Sequence, residues 1–165
     1  MEYPILAGKK ILIVDDEPDI LDSLEEMLND CLIDKASNFS EAKKLLNKTA
    51  YDVAIFDIMG VRGYDLLEIA NKKKIPAIML TAHALSPEDV VKSIKGGAQV
   101  YVPKDSIGEI PAFLVDILTS REEGSRGDKE WLTRLKPFFD SRFGPDWQEK
   151  DKAFWDDFAA LKSKK

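Results

Sequence analysis

The sequence predicts an α/β fold, a doubly wound five-stranded parallel sheet, followed by a small α-helical C-terminal extension. Three observations predict it. Short apolar runs bounded by turn signals alternate with segments whose apolar residues recur at helical spacing, five times in about 120 residues. Nearly every run closes on polar residues. All three tryptophans and five of the eight phenylalanines fall in the last 45 residues, which argues against a disordered tail because disordered segments are poor in aromatics.

The elements follow in order. Lys10 to Val14 is a β-branched run that ends abruptly in Asp15-Asp16-Glu17-Pro18. Helical spacing then appears at Ile20, Leu21, Leu24 and Leu28, with Pro18 where a helix start tolerates it. Cys31 to Ala36 reads as a short strand, and Ser37 to Leu46 as a helix that turns Ala42, Leu45 and Leu46 inward. Val53 to Phe56 is a buried strand closing on Asp57. Leu66, Leu67 and Ala70 mark a helix ending near Asn71-Lys72-Lys73-Lys74, and Ile75 to Leu80 a strand delivering Thr81. Ser86-Pro87-Glu88-Asp89 is a capping box leading into Val90, Val91 and Ile94, and Gly96-Gly97 stops that helix. Val100 to Val102 is the last strand, ending at Pro103-Lys104. Ile107, Ile110, Phe113, Leu114 and Ile117 stripe a fifth helix, with Pro111 as an interior irregularity expected to kink it. Apolar strands separated by helices imply a parallel sheet covered on both faces, with right-handed crossovers and ligands at the carboxyl ends of the strands.

Residues 1–120 therefore form the main domain. Residues 121–129 have linker composition, and residues 130–165 are the helical extension. Trp131, Leu132, Leu135, Phe138 and Phe139 share one helical stripe, Phe154, Trp155, Phe158 and Leu161 another, and Gly144-Pro145 separates them. A hairpin this small cannot bury eight aromatic residues alone. It is expected to dock on the main domain or on a second copy, giving a homodimer, rather than to form a ligand cage.

Composition excludes several classes. The 165 residues, 44% hydrophobic and 33% charged, suffice for one full core and an appendage. No apolar stretch approaches the roughly 18–20 residues of a membrane helix, and Met1-Glu2-Tyr3-Pro4 lacks the basic start of a secretory signal. A cytoplasmic protein without membrane association is expected. Cys31 is the only cysteine, so no internal disulfide or cysteine-based metal cluster can form. The net charge of −6 divides into −7 up to Ser120 and +1 beyond it, which disfavours nucleic acid as a partner.

The polar residues at the strand ends carry the chemistry. Asp15 and Asp16 follow the first strand, Asp57 the third, Thr81 the fourth and Lys104 the fifth, so the fold places all five on one rim. Three carboxylates meeting there repel one another, and a hard divalent cation, best Mg²⁺, relieves the repulsion.

These pieces resemble the receiver domain of two-component response regulators. The matching stretches are Ile11-Leu12-Ile13-Val14-Asp15-Asp16-Glu17-Pro18, Phe56-Asp57-Ile58-Met59, Leu80-Thr81-Ala82 and Tyr101-Val102-Pro103-Lys104. The resemblance covers about Lys9 to Ser120 and implies a flavodoxin-like receiver. It makes Asp57 the nucleophile that becomes an aspartyl phosphate. Asp15, Asp16, Asp57 and the main-chain carbonyl of Met59 become the Mg²⁺ ligands. Lys104 pairs with the phosphoryl oxygens, Thr81 turns its hydroxyl onto one of them, and Tyr101 is the switch aromatic that follows Thr81. A carboxylate of ordinary pKa, about 3.9, would already be ionised and need no general base. The implied donor is a sensor histidine kinase or phosphotransfer protein, and the output is a change in contacts with a downstream protein. The chain would not be an enzyme beyond Mg²⁺-dependent self-phosphorylation and autodephosphorylation.

The sequence also departs from the family. The usual proline and later glycine of the loop after the acceptor give way to Gly60-Val61-Arg62-Gly63-Tyr64-Asp65, and Lys104 precedes Asp105 rather than proline. Bland readings compete at some positions. Tyr101 could be a plain core aromatic, and His83, the only histidine, reads as an exposed loop residue. A transcriptional regulator whose short tail binds DNA is the chief rival. The tail's 11 basic against 10 acidic residues, and tryptophans in place of a basic helix, count against it. A phosphatase of the haloacid-dehalogenase kind would want a second aspartate where Met59 stands.

Overall fold

A computed structural model describes residues 3–82, 86–122 and 130–162. Five strands, β1 (Lys10–Val14), β2 (Leu32–Ala36), β3 (Val53–Asp57), β4 (Ala77–Thr81) and β5 (Val100–Pro103), form one sheet in the order β2-β1-β3-β4-β5. All four pairings are parallel. Strands β3 and β4 are buried at every position, which is why they read as unbroken apolar runs rather than alternating ones. The chain winds outward from β1 in one direction and then from β3 in the other. That reversal opens a crevice at the carboxyl ends of β1 and β3, between Val14-Asp15 and Asp57.

Five helices cover the sheet: α1 (Pro18–Met27), α2 (Phe39–Lys48), α3 (Gly63–Lys72), α4 (Pro87–Lys95) and α5 (Ile110–Glu122). Side-chain caps fix two of their starts. Asn38 accepts the Glu41 N–H at 2.9 Å to open α2, and Ser86 accepts the Asp89 N–H at 3.1 Å to open α4. The predicted elements all occur, with ends displaced by one to three residues. The sequence reading errs most at the fifth helix. Lys104–Glu109 forms a 3₁₀ turn and α5 begins at Ile110, so Pro111 occupies its first turn and not its interior. A missing N–H costs nothing there, and the expected kink has no cause. Pro4–Leu6 forms a short 3₁₀ turn that the sequence did not suggest. Helix α5 runs two residues into the expected linker. Residues 123–129 and His83 lie outside the described residues.

The C-terminal extension is α6 (Glu130–Phe143), a 3₁₀ turn (Trp147–Asp151) and α7 (Lys152–Lys162). Its helices and break fall where the aromatic spacing placed them. Asp140 ties the first helix to the turn, accepting the Trp147 indole N–H at 2.9 Å and the Lys136 ammonium at 2.9 Å. Both bonds hold the Asp140 carboxyl below the ordinary carboxylate range, Lys136 first. The aromatic rings then pack edge to face: Phe139 on Trp147 at 5.5 Å between centroids, and Trp147 on Trp155 at 5.2 Å.

Of the two expected docking partners, the structure shows the main domain. Helix α6 lies against β5, and Phe139 packs on Tyr101 with centroids 6.0 Å apart. Arg134 sits over the Phe113 ring of α5, and Lys95 at the end of α4 faces both Asp151 and Phe154. The tail thus covers an edge strand that would otherwise offer unpaired backbone to another chain. The burial is not free of cost. Trp131 Nε1 is buried without a hydrogen-bond partner among the described residues, a defect of about 1–3 kcal/mol.

Candidate functional site

The strand ends bring most of the predicted residues together. Lys104, at the end of β5, is 8% exposed and reaches across the crevice. Its ammonium lies 3.0 Å from Asp15 Oδ2, 3.5 Å from Asp57 Oδ1 and 2.6 Å from Glu17 Oε1. Asp15 is fully buried, and its Oδ1 accepts the Glu17 N–H at 2.9 Å. Asp16 is exposed and lies over the loop after β3, its carboxylate against Gly60. Thr81 is buried at the end of β4. Met59 is 51% exposed, so only its carbonyl, not its thioether, suits the role expected of it.

Burial sets the electrostatics. Burial first, and then the Asp15 and Asp16 carboxylates, raise Asp57 to about 7, with Lys104 partly offsetting them. The ordinary carboxylate expected from the sequence is therefore not what the fold makes. The sequence shows which residues meet but not how far water is excluded from Asp57. Burial also raises Asp15, against the Glu17 N–H and Lys104. Lys104 is opposed by its own burial, yet the bonds to Glu17 and Asp15 leave it above the ordinary lysine value. The site holds more negative charge than its one ammonium neutralises.

Its donor set fits a metal ion. Asp15, Asp16 and Glu17 each offer a carboxylate oxygen within 4.8 Å of the others. Asp15 Oδ2 is buried and, although close to Lys104, receives no aligned hydrogen bond. An all-oxygen set with one unsatisfied carboxylate oxygen is what a hard divalent cation binds.

The loop after Asp57 explains the missing proline and later glycine. Gly60 has φ 86°, and a Cβ there would collide with the Asp16 carboxylate. Gly63 opens α3 so close to β3 that a Cβ would meet the Asp57 carbonyl oxygen and lie 2.8 Å from Ile58 Cα. Its N–H donates to Ile58 O at 3.1 Å. Between them Arg62 takes a left-handed φ of 58°, its side chain held by Asp65 at 2.8 Å and by the face of Phe39. Two glycines thus let the turn pass close to Asp16 and to the end of β3. All described peptide bonds are trans, that of Lys104–Asp105 included.

Comparison with known proteins now decides the family. Residues 11–112 match the response regulator receiver domain. This chain belongs to the response regulator receiver family. A two-component response regulator of Oryza sativa subsp. indica, ORR21, is 36% identical over 112 residues, 63% of this chain and 16% of that protein. The chain thus spans about a sixth of the length of that curated relative. Among solved structures, the receiver domain of Francisella response regulator 1452 is 31% identical with a TM-score of 0.60, covering 70% of this chain and 99% of that one. A CheY-like receiver domain protein from Methanospirillum hungatei JF-1 is 30% identical at the same TM-score, covering 69% and 99%. The receiver match ends at residue 112, before α6 begins.

One receiver residue was missed by sequence reasoning. Glu17 carries no role in the sequence analysis, yet it makes the shortest contact to Lys104 and joins the acidic cluster. The available signal was a third carboxylate directly following Asp15-Asp16.

Proposed function

We propose that this receiver accepts a phosphoryl group on Asp57 from a phosphohistidine of a sensor histidine kinase or phosphotransfer protein, and that the product alters its contacts with a downstream protein. The observation that carries the reading is Asp57 itself: a buried carboxylate at the end of β3, facing a lysine ammonium at 3.5 Å and flanked by an acidic cluster. An Asp57 oxygen attacks phosphorus, the P–N bond breaks, and the departing imidazole takes up a proton. Phosphoryl transfer needs positioning and charge neutralisation more than covalent help. Lys104 supplies one positive charge where phosphoryl oxygens would lie. Mg²⁺ held by Asp15, Asp16, Asp57 and the Met59 carbonyl would neutralise the remainder. Thr81, buried at the end of β4, would donate its hydroxyl to one of those phosphoryl oxygens. In this reading the chain acts as a phosphorylated switch in the cytoplasm, with Mg²⁺-dependent self-phosphorylation and autodephosphorylation as its only reactions. No helix among the described residues is long and apolar enough to cross a membrane. The DNA-binding tail gains no support, because the aromatic stripes of α6 are turned onto the receiver.

Intact mass spectrometry after incubation with Mg²⁺ and acetyl phosphate tests the acceptor. One acid-stable, base-labile phosphoryl group is expected on the wild type and none on Asp57→Asn. Stoichiometric labelling of the Asn variant would refute the assignment. The cation is tested separately by calorimetric titration of Mg²⁺. Asp16 is exposed at the mouth and free to meet an entering ion, so Asp16→Ala is expected to weaken binding by about 10-fold or more. Equal affinities would remove Asp16 from the ligand set.

A further inference from the structure

The tail is seated on Tyr101, the aromatic that the resemblance makes the switch. Tyr101 is fully buried, with Phe139 of α6 packed on its ring. From Phe139 the ring contacts continue through Trp147 and Trp155 to Phe158, each pair within 5.5 Å between centroids. Tyr101 also has a neighbour inside the sheet. It pairs with Met79 of β4, and Thr81 stands two residues further along the same strand, on the same face. Thr81 and Tyr101 are both wholly enclosed, so the hydroxyl and the ring share one packed volume. Packed volumes of this kind tend to have discrete arrangements rather than continuous ones.

We propose that the tail, residues 130–162, is an intramolecular clamp on the α4–β5–α5 face that holds Tyr101 in its buried position and is thereby coupled to phosphorylation of Asp57. Because the ring and the Thr81 hydroxyl lie on one face in one packed volume at the phosphoryl rim, fixing the ring also restricts the hydroxyl, so tail docking and occupancy of the phosphoryl site favour each other. Reciprocity follows from linkage: what one event gains from the other, the other gains equally. A clamped face is also closed to a second copy of this chain. The occupant is visible rather than inferred, since Phe139, Arg134 and Asp151 reach β5, α5 and α4 respectively.

The coupling rests on Asp57 being the acceptor, and the test separates the two. Beryllium fluoride with Mg²⁺ serves as a reversible stand-in for the phosphoryl group, titrated into the full chain. All three tryptophans lie in the tail and none in the receiver, so their emission reports the tail alone. Saturation is expected to change that emission and to slow amide exchange in α6 by about 5-fold or more. Phe139→Ala is expected to weaken beryllium fluoride binding by a similar factor. Should Phe139→Ala fail to fold, Asp151→Lys places like charges opposite Lys95 without touching the core, and a weakening of about 2-fold is expected at low salt. Absence of binding to wild type would refute Asp57 as the acceptor. Binding with unchanged emission and exchange, and equal affinity in both variants, would overturn the clamp. Faster exchange in α6 on saturation would overturn it too, by reversing the sign.

Discussion

Asp57→Asn is expected to unfold at a higher temperature than the wild type when both are freed of divalent cations at pH 8. The folded receiver binds the Asp57 proton more tightly than the unfolded chain does, at about 7 against an ordinary value of 3.8. Stability therefore falls as pH rises from about 4 to about 7, and the whole penalty is present above that range. Three pKa units correspond to about 4 kcal/mol, which is an upper figure because the surroundings relax. Asparagine keeps the shape and removes the charge. A gain on the order of 2–4 kcal/mol would raise the melting midpoint by roughly 5–12 °C. At pH 5 the wild-type carboxyl is largely protonated in the fold, and the difference should shrink by more than half. Millimolar Mg²⁺ should narrow it again at pH 8, because the wild type then regains a counter-charge that the variant holds less well. Thermal scans at the two pH values, with and without chelator, check all three outcomes. Coincident midpoints at pH 8 in chelator would mean that the carboxylate is not held at a cost.

Gly63→Ala is expected to be among the most damaging single-methyl additions to the receiver. The new Cβ would meet the Asp57 carbonyl oxygen and Ile58 Cα, which are backbone atoms of a buried strand and cannot swing aside. Either α3 slides outward, opening the contacts of Leu66, Leu67 and Ala70, or β3 shifts and carries Asp57 with it. The cost is roughly 2–4 kcal/mol in urea unfolding. Phosphorylation should fall as well, since the clash falls on the residue that carries the acceptor. Gly108→Ala is the control. A Cβ there meets nothing within 4 Å, and a change within about 0.5 kcal/mol is expected.

Much of this molecule was legible in its sequence because the decisive signals are local. The apolar strands end on Asp15, Asp57, Thr81 and Lys104, and a parallel sheet allows such ends only one rim. The helix caps at Asn38 and Ser86 are likewise short-range, and the second carries a capping box visible in the sequence. What escaped was decided by three-dimensional proximity. Glu17 needed the reach of Lys104 from a strand more than eighty residues away. The elevated Asp57 pKa needed the burial that neighbouring strands create. Gly60 and Gly63 stand where the family has other residues, and only the folded chain shows what side chains there would strike. Pro111 was misplaced because a 3₁₀ turn and an α-helix share the same apolar stripe near their junction.

The pairing of Phe139 with Tyr101 also bears on how such a receiver can be exchanged between proteins. Here the seam runs through the packing. Tyr101, Phe113 and Lys95 on one side meet Phe139, Arg134 and Asp151 on the other. A chimera that grafts this receiver onto a foreign output would carry an uncovered aromatic patch on its edge strand. A foreign receiver given this tail would need matching residues at those three positions. The unit that folds with its apolar surface covered is therefore the receiver together with its tail.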